Sequence, residues 1–425
     1  MDEWTSNWRI VDFVSGWFTK AAAYGLKCKS RSAFVATKSI CQGRQVDALW
    51  KPLQSHGIEI FFAHTAFKWA NLAANKAGVT VVIVGIEHAP SRERTLISLD
   101  DNGQSVARAV DNISAYLVAG PNVIVSPRSL PLSALSDMSF GNMPNNGGPL
   151  LLTPAEVNTL GLTPDQRDRF VRPFVGSAEF VRGTQRFCLW VEDEFVKEAY
   201  ELPELRVRFE AVRLARLDSR DASARELAKR PHQFREMHVA KLQTISVPAI
   251  SSENREYLPC GLLPYRTIVS NKIYALYDAP LWQLAILLSA IHLVWISSVC
   301  GRMRTDFSYS NTLGWNTFPV PTLTEQNRAD LTRCAEDILL AREVHFPATI
   351  ADLYDPETMP ANLRAAHDTN DETLERIYIG RRFRNDTERL DKLVEMYAKM
   401  QGSESKGQAL VKKTKVSRKT AEVGK

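Results

Sequence analysis

The sequence predicts an α/β protein that closes with a helical block, on three observations. Short runs rich in β-branched and apolar residues at 33–40, 58–63 and 79–86 have the length of strands, and a helix-like run from Gly43 to Gly57 lies between the first two. A mixed region of short strands, turns and helices follows from about Ala107 to Pro321. Beyond Pro319-Val-Pro321 the pattern turns almost wholly helical.

The order strand, helix, strand, strand is that of the closing half of a Rossmann-like sheet whose opening half is missing. Ahead of it, residues 7–27 place Ile10, Phe13, Val14, Trp17, Phe18 and Ala21 at three- and four-residue intervals, which predicts an amphipathic helix packed on the sheet. Ser55-His-Gly57 stops the second helix. Pro90 to about Val106 is polar and turn-rich, an exit from a first domain at 1–106. In the middle region, 107–321, the turn-dense Gly141-Asn-Met-Pro-Asn-Asn-Gly-Gly148 comes early, and an arginine-rich helix is expected from Leu205 to Arg230. Helices are expected at Leu323–Val344, Asn362–Thr369 and Asp371–Met400, forming a helical domain at 322–401. The lysine-rich stretch 402–425 has little apolar material and is expected to be disordered.

Composition narrows the class. With 425 residues there is room for two or three ordinary cores, and a net charge of +5 permits a polyanionic partner without demanding one. Six scattered cysteines, Cys28, Cys41, Cys188, Cys260, Cys300 and Cys334, form no CxxC pair, so core thiols in a reducing compartment are expected rather than disulfides or zinc. The acidic start, Asp2-Glu3, is unlike a secretory signal, which points to the cytoplasm. The apolar segment Ala279–Gly301 is interrupted by Gln283, Ser289, His292 and Ser297-Ser298, so a buried helix is expected there and not a membrane span.

Several separated blocks then stand out in order: Ser39-Ile-Cys-Gln-Gly-Arg-Gln45, Phe61-Phe-Ala-His-Thr-Ala-Phe-Lys-Trp69, Phe140-Gly-Asn-Met-Pro-Asn-Asn-Gly-Gly148, Arg172-Pro-Phe-Val-Gly176, Arg186-Phe-Cys-Leu-Trp190, Pro231-His-Gln-Phe234, Gly301-Arg-Met-Arg304, Asn316-Thr-Phe-Pro319 and Leu353-Tyr-Asp-Pro356. Together, over about Trp8 to Tyr397, they resemble the adenine-N6 DNA methyltransferases of the MmeI-like (Type IIL) restriction-modification family. The resemblance implies an incomplete Rossmann-like methyltransferase sheet, a mixed α/β target-recognition domain and a C-terminal helical domain. It also implies that the S-adenosylmethionine pocket and the catalytic Asn-Pro-Pro-aromatic motif lie upstream, so that this chain alone is catalytically silent and assigns no catalytic residue. Two look-alikes are set aside. Asp12-Phe-Val-Ser-Gly16 falls inside the expected first helix with no strand before it, and Asn142-Met-Pro144 lacks the second proline and the aromatic.

Four sets of site residues follow. Phe67 sits where the resemblance puts an aromatic against a flipped base, while core packing is the default reading for Phe67 and Trp69. The alternating Arg302-Met-Arg304-Thr-Asp306-Phe-Ser308-Tyr-Ser310 follows the apolar segment as a strand or extended loop. The resemblance places paired base-reading positions on Arg304 and Asp306, with Ser308 as a third, while a surface ion pair between the first two is the alternative. Arg213, Arg216 and Arg220 share a helix face that either meets DNA phosphates or simply faces solvent. The lysine tail is a nonspecific DNA arm or solubilising disorder. His64 and His292 read as satisfied core groups, and no metal ligand set is legible. The partners implied are double-stranded DNA and an upstream methyltransferase or nuclease half supplied in trans, with no membrane. A DNA-binding specificity subunit without enzymatic role and the remnant of a disrupted gene remain as other readings.

Overall fold

Short runs of branched and apolar side chains build the strands Ser32–Thr37 (β1), Ile58–Trp69 (β2) and Val79–His88 (β3), with the helices Ser15–Cys28 (α1) and Gly43–Ser55 (α2) before β1 and between β1 and β2. The computed structural model describes residues 4, 8–69, 79–88, 93–99 and 103–403. Two units make up the chain, the first formed by Met1–Leu135, Ile291–Thr322 and Tyr378–Lys425, the second by Ser136–Ala290 and Leu323–Ile377.

In the first unit β1 and β2 both pair antiparallel with β3, which lies between them. The region expected to leave the domain at Pro90–Val106 instead supplies Arg94–Leu99 (β4) and the start of Ser105–Val110 (β5), which extend the sheet to the order β1-β3-β2-β4-β5. Its polar character is that of a sheet edge: β5 is exposed along nearly its whole length, and β4 buries only Arg94 and Leu96. Arg94 is held there by Glu59 and by Asn112.

The helix α1 packs on the sheet as expected, but through a different face. Ser15, Phe18, Thr19, Ala22 and Gly25 are buried, whereas Phe13, Trp17 and Tyr24 are 87%, 52% and 61% exposed. Small residues let the helix approach the sheet closely. Phe18 is the large side chain buried on this helix, with its ring 4.9 Å from Phe34 and 5.9 Å from Trp50.

The apolar segment 279–301 forms two buried helices, Trp282–Leu287 and Ala290–Val299, broken where Ser289 Oγ donates to Ile286 O. No described helix is long and apolar enough to cross a membrane. Within the second of these helices Trp295 is fully buried and donates to Thr317 Oγ1 at 3.2 Å. His292 lies 3.0 Å from Tyr309 Oη, and burial pushes its pKa down to about 3, so the ring is neutral. His64 is only half-buried, against Thr65 O and Ser105 Oγ. Cys41, Cys188, Cys260 and Cys300 are buried, and desolvation pushes their thiols up.

The second unit holds two four-stranded sheets. Gly261–Pro264, Gln243–Pro248, Ile273–Tyr277 and Ser139–Phe140 pair antiparallel in that order. Ile268–Val269, Val171–Val175, Phe187–Leu189 and Leu151–Leu152 form the other, its first pair parallel. Phe170, Phe174, Trp190, Phe209 and Phe234 are central to one core. The expected helix 205–230 is three pieces, Pro203–Leu217, Ala222–Glu226 and the short turn Leu227–Lys229, because Asp221 caps a new start by accepting from Ser223 N. The late helices are also redrawn. Ala361–Ile379 runs through residue 370 without a break, stops at Gly380 (φ +77°), and a further helix spans 386–403. Most of the lysine tail, 404–425, lies outside the described residues.

Asp391, on the helix at 386–403, has one carboxylate oxygen buried without a hydrogen-bond partner, and desolvation raises its pKa to about 6 despite the opposing charge of Arg108. Its folded-state value lies above that of the unfolded chain, so the native state binds more protons between about pH 4 and about pH 6 and loses stability as the pH rises through that window. Asp391→Asn is expected to melt higher than the parent at neutral pH and to flatten the slope across that window. Thermal melts over the range test this, and an unchanged slope would refute it.

Candidate nucleic-acid interface

The polar alternation after the apolar helix becomes a β-hairpin. Strands Gly301–Met303 and Asp306–Ser308 pair antiparallel, with Met303 opposite Asp306, Arg302 opposite Phe307 and Gly301 opposite Ser308. Asp306 and Ser308 share one side of the ribbon with Met303. Arg302 and the buried Phe307 share the other, with the guanidinium 4.4 Å from the ring centre. Arg304 and Thr305 make the two-residue turn and are exposed. Arg304 holds φ +59°, in the left-handed region, at the position that tight hairpin turns usually give to glycine. A non-glycine residue there costs about 1 kcal/mol of backbone strain. Among the described residues neither Arg304 nor Asp306 pairs with the other, and neither side chain has another partner. The surface ion pair allowed by the sequence is not formed.

The hairpin's foot is fixed by glycine. Gly43 (φ +57°), at the start of α2, lies so close to Gly301 that a Cβ built on it would sit 3.1 Å from both Gly301 Cα and N. Gln42 adds a bond from Nε2 to Ser297 O at 2.7 Å. Two of the blocks singled out in the sequence, Ser39–Gln45 and Gly301–Arg304, therefore touch backbone to backbone.

Phe67 lies within β2 rather than after it. The register of β2 against β3 shifts between His64 and Phe67, a bulge of the kind that re-aims side chains. The half-buried ring meets His64 edge-on at 4.7 Å and lies 6.3 Å from Trp69, which is 46% exposed. The neighbouring Thr65 and Ala66 help line a cavity of about 340 Å³ together with Lys38, Arg108, Ser297 and Asp386.

The arginine stripe does not survive as one face. Arg216 is fully buried, and its guanidinium donates to five backbone carbonyls, those of Asn145, Leu227, Arg230, Pro144 and Gln233, at 2.7 to 3.1 Å. It is withdrawn as a phosphate contact, since no donor is left to face outward. Burial, then the nearby Arg230, lowers its pKa to about 10, which leaves it charged at neutral pH. Arg213 is partly exposed and forms a two-bond pair with Glu210, at 2.8 and 2.6 Å. Arg220 is exposed but lies beyond the helix that ends at Leu217.

Both look-alikes are structural. Asn142 is fully buried, donating to His238 O and Val269 O and accepting from His238 N. Asp12 precedes α1 instead of lying inside it; its carboxylate accepts from Ser39 Oγ and its N–H donates to Gln45 Oε1.

Three family models match the chain in succession: MmeI, DNA-methyltransferase domain, over residues 1–98; MmeI, target recognition domain, over 119–322; and MmeI, C-terminal domain, over 323–403. The chain is 40% identical over 395 residues to DNA methyltransferase A of Bacillus subtilis (strain 168), a match covering 93% of this chain and 44% of that protein. It is also similar to the Type IIL restriction-modification enzyme MmeI solved in complex with DNA, at 34% identity and a TM-score of 0.79, covering 94% of this chain and 53% of that one. The chain thus spans about half the length of the relatives it matches.

Arg216 is expected to act on stability rather than on any ligand. Arg216→Met leaves five carbonyls without their donor and should cost about 3 kcal/mol or more. Arg216→Lys should recover only part, because an ammonium lacks the planar fork. Urea unfolding measures both, and a methionine variant as stable as the parent would show the hub to be dispensable.

Proposed function

Since the chain belongs to the MmeI-like family of Type IIL restriction-modification methyltransferases, we propose that it is the sequence-recognising portion of a site-specific adenine-N6 DNA methyltransferase, reading duplex DNA in the cytoplasm. On this reading residues 1–106 are the closing part of the methyltransferase domain, 107–321 the target-recognition domain and 322–401 the C-terminal helical domain. The observation that carries the proposal is the hairpin tip. It presents an arginine at a strained turn position, and a carboxylate and a hydroxyl on one side of the ribbon, with neither charged side chain engaged inside the protein.

A guanidinium suits the O6 and N7 acceptors of guanine, a carboxylate suits the N4 amine of cytosine, and a serine hydroxyl suits either kind of edge. Arg304, Asp306 and Ser308 have these roles, and the strain at Arg304 is the cost of presenting an arginine where glycine would be more stable. Arg220, together with Arg213 once Glu210 shares it, contacts phosphates, which set register without reading sequence. Phe67, aimed by the bulge in β2, stacks on the extruded adenine.

S-adenosylmethionine is the methyl donor that the family implies, and among the described residues the two look-alike stretches do not fit it. Asp12, the acidic member of the Asp12–Gly16 stretch, is held by Ser39, and Asn142 is fully used in structural bonds. We therefore assign the donor pocket and the clamp on the adenine amine to a methyltransferase portion outside these residues. A methyl-transfer assay on mixed duplexes, with and without such a portion, tests that division; methylation by this chain alone would overturn it.

Exchanging Arg304 and Asp306 as a pair is expected to change the preferred base at one position of the site by about 1–3 kcal/mol. Arg304→Gly should lose that preference while stabilising the fold by up to about 1 kcal/mol. Selection from random duplexes and thermal melts read the two effects, and an unaltered base preference in the exchanged protein would end the assignment.

Substituting Arg213 and Arg220 together by alanine is expected to weaken binding to all duplexes alike and to shallow the dependence of log K on log salt by about 1 to 2 units of slope. Fluorescence anisotropy across a salt series checks it; a selective loss for one sequence would count against a phosphate role.

A further inference from the structure

The hairpin at 301–308 has two unlike sides. On one, Arg302 lies over the buried Phe307 and donates from Nη1 to Thr305 O at 2.6 Å, so that side is satisfied within the protein. The other carries Gly301, Met303, Asp306 and Ser308, since residues directly opposite one another in an antiparallel ribbon share a face. Among the described residues the side chains of Asp306 and Ser308 have no hydrogen-bond or ion-pair partner. Met303 is 57% exposed and is the apolar projection on a face whose other members are polar or bare. A Cβ built on Gly301 would meet nothing within 4 Å, so the face is open at its foot as well.

A lone exposed methionine is ordinary on a protein surface. This one stands directly opposite Asp306, and the Cβ atoms of such a cross-strand pair lie about 5 Å apart. A base edge that engages the carboxylate is therefore within reach of the thioether. A carboxylate takes the N4 amine of cytosine, and the neighbouring ring carbon, C5, points into the same groove. Thymine offers a methyl group at C5 but turns its O4 acceptor toward the carboxylate, which rejects it. A base with both an N4 amine and a C5 methyl group, 5-methylcytosine, satisfies both side chains. The unbranched, polarizable methionine adapts to such a contact without a preformed pocket.

We propose that Met303 is a further specificity-determining residue, packing its thioether on the C5 edge of the cytosine whose N4 amine donates to Asp306, so that the protein binds its site more tightly when that cytosine carries a 5-methyl group. The inference rests on the base-reading role given to Asp306 above; the exposure of Met303 and its place opposite Asp306 do not.

The test begins with sites selected by the full chain from random duplexes, in which the cytosine belongs to the base pair whose preference shifts when Arg304 and Asp306 are exchanged. Anisotropy titrations then compare that duplex with and without a 5-methyl group on this cytosine. The expected gain in affinity is about threefold to fourfold, which is what burying one methyl group contributes. Met303→Ala should abolish the gain and Met303→Leu should keep it, with both variants melting as the parent does. A methyl group on a cytosine outside the site should change nothing in any of the three proteins. A parent that is indifferent to the methyl group or weakened by it, an equal gain in Met303→Ala, or a selected base pair without cytosine at that position overturns the proposal. A chain that selects no site, or whose site is unmoved by the exchange, is a different result: it removes the functional reading, and the role of Met303 with it.

Discussion

The backbone contact between Gly43 and Gly301 is the constraint on which the candidate interface depends. Both glycines lie in the same unit, and at 3.1 Å even a methyl group on Gly43 would meet the backbone of Gly301. Gly43 is doubly restricted, since its φ of +57° already disfavours a side chain. The bond from Gln42 to Ser297 ties the preceding residue to the last turn of the apolar helix. A recognition element is only as selective as its support is rigid. Here the support is α2, whose Trp50 packs against Phe18 of α1, and Phe18 in turn meets Phe34 of β1.

Arg304 and Arg216 show how little a residue type says before its surroundings are known. Both read as cations available for DNA. Arg216 lies beside the turn that contains Pro144, Asn145 and Asn146, the last two at positive φ, and beside the broken end of its own helical region. Such segments leave carbonyls without amide partners, and a guanidinium with five donors is the side chain that satisfies them together. Arg304 has the reverse situation: a strained backbone, an exposed tip and no internal acceptor. One arginine is bound to the fold, and the other is left over from it.

Legibility followed the same physics. The strands β1 to β3 and α2 were readable because branched and apolar residues alternate or recur at helical spacing on faces that are buried. The strands β4 and β5 were not, because β5, at the sheet edge, is exposed along nearly its whole length and β4 beside it buries only Arg94 and Leu96, so both are polar enough to resemble turns. On α1 the large apolar residues suggested the wrong buried face, since close approach to a sheet favours serine, alanine and glycine over tryptophan. The breaks at Gly380 and Asp221 were open to reading as a left-handed stop and a helix cap. In the interface, the alternation through residues 302–310 was visible, whereas the hairpin turn was hidden, because arginine and threonine carry no turn signal at a position where glycine is expected.

The order of the chain and the order of the fold also differ, with a consequence for specificity. The hairpin follows a long excursion through the second unit, yet belongs to the unit that contains the five-stranded sheet. Among the described residues its polar side chains at 304 and 306 make no hydrogen bonds or ion pairs, so exchanging them leaves no described buried group unsatisfied. Phe307 is buried and the Gly43–Gly301 contact fixes the hairpin's foot, and neither lies among the proposed base-reading positions. A protein built this way separates what holds the reading element from what does the reading. On the proposed reading, changes at 304, 306 and 308 would alter the base preference while Phe307 and the Gly43–Gly301 contact stay as they are.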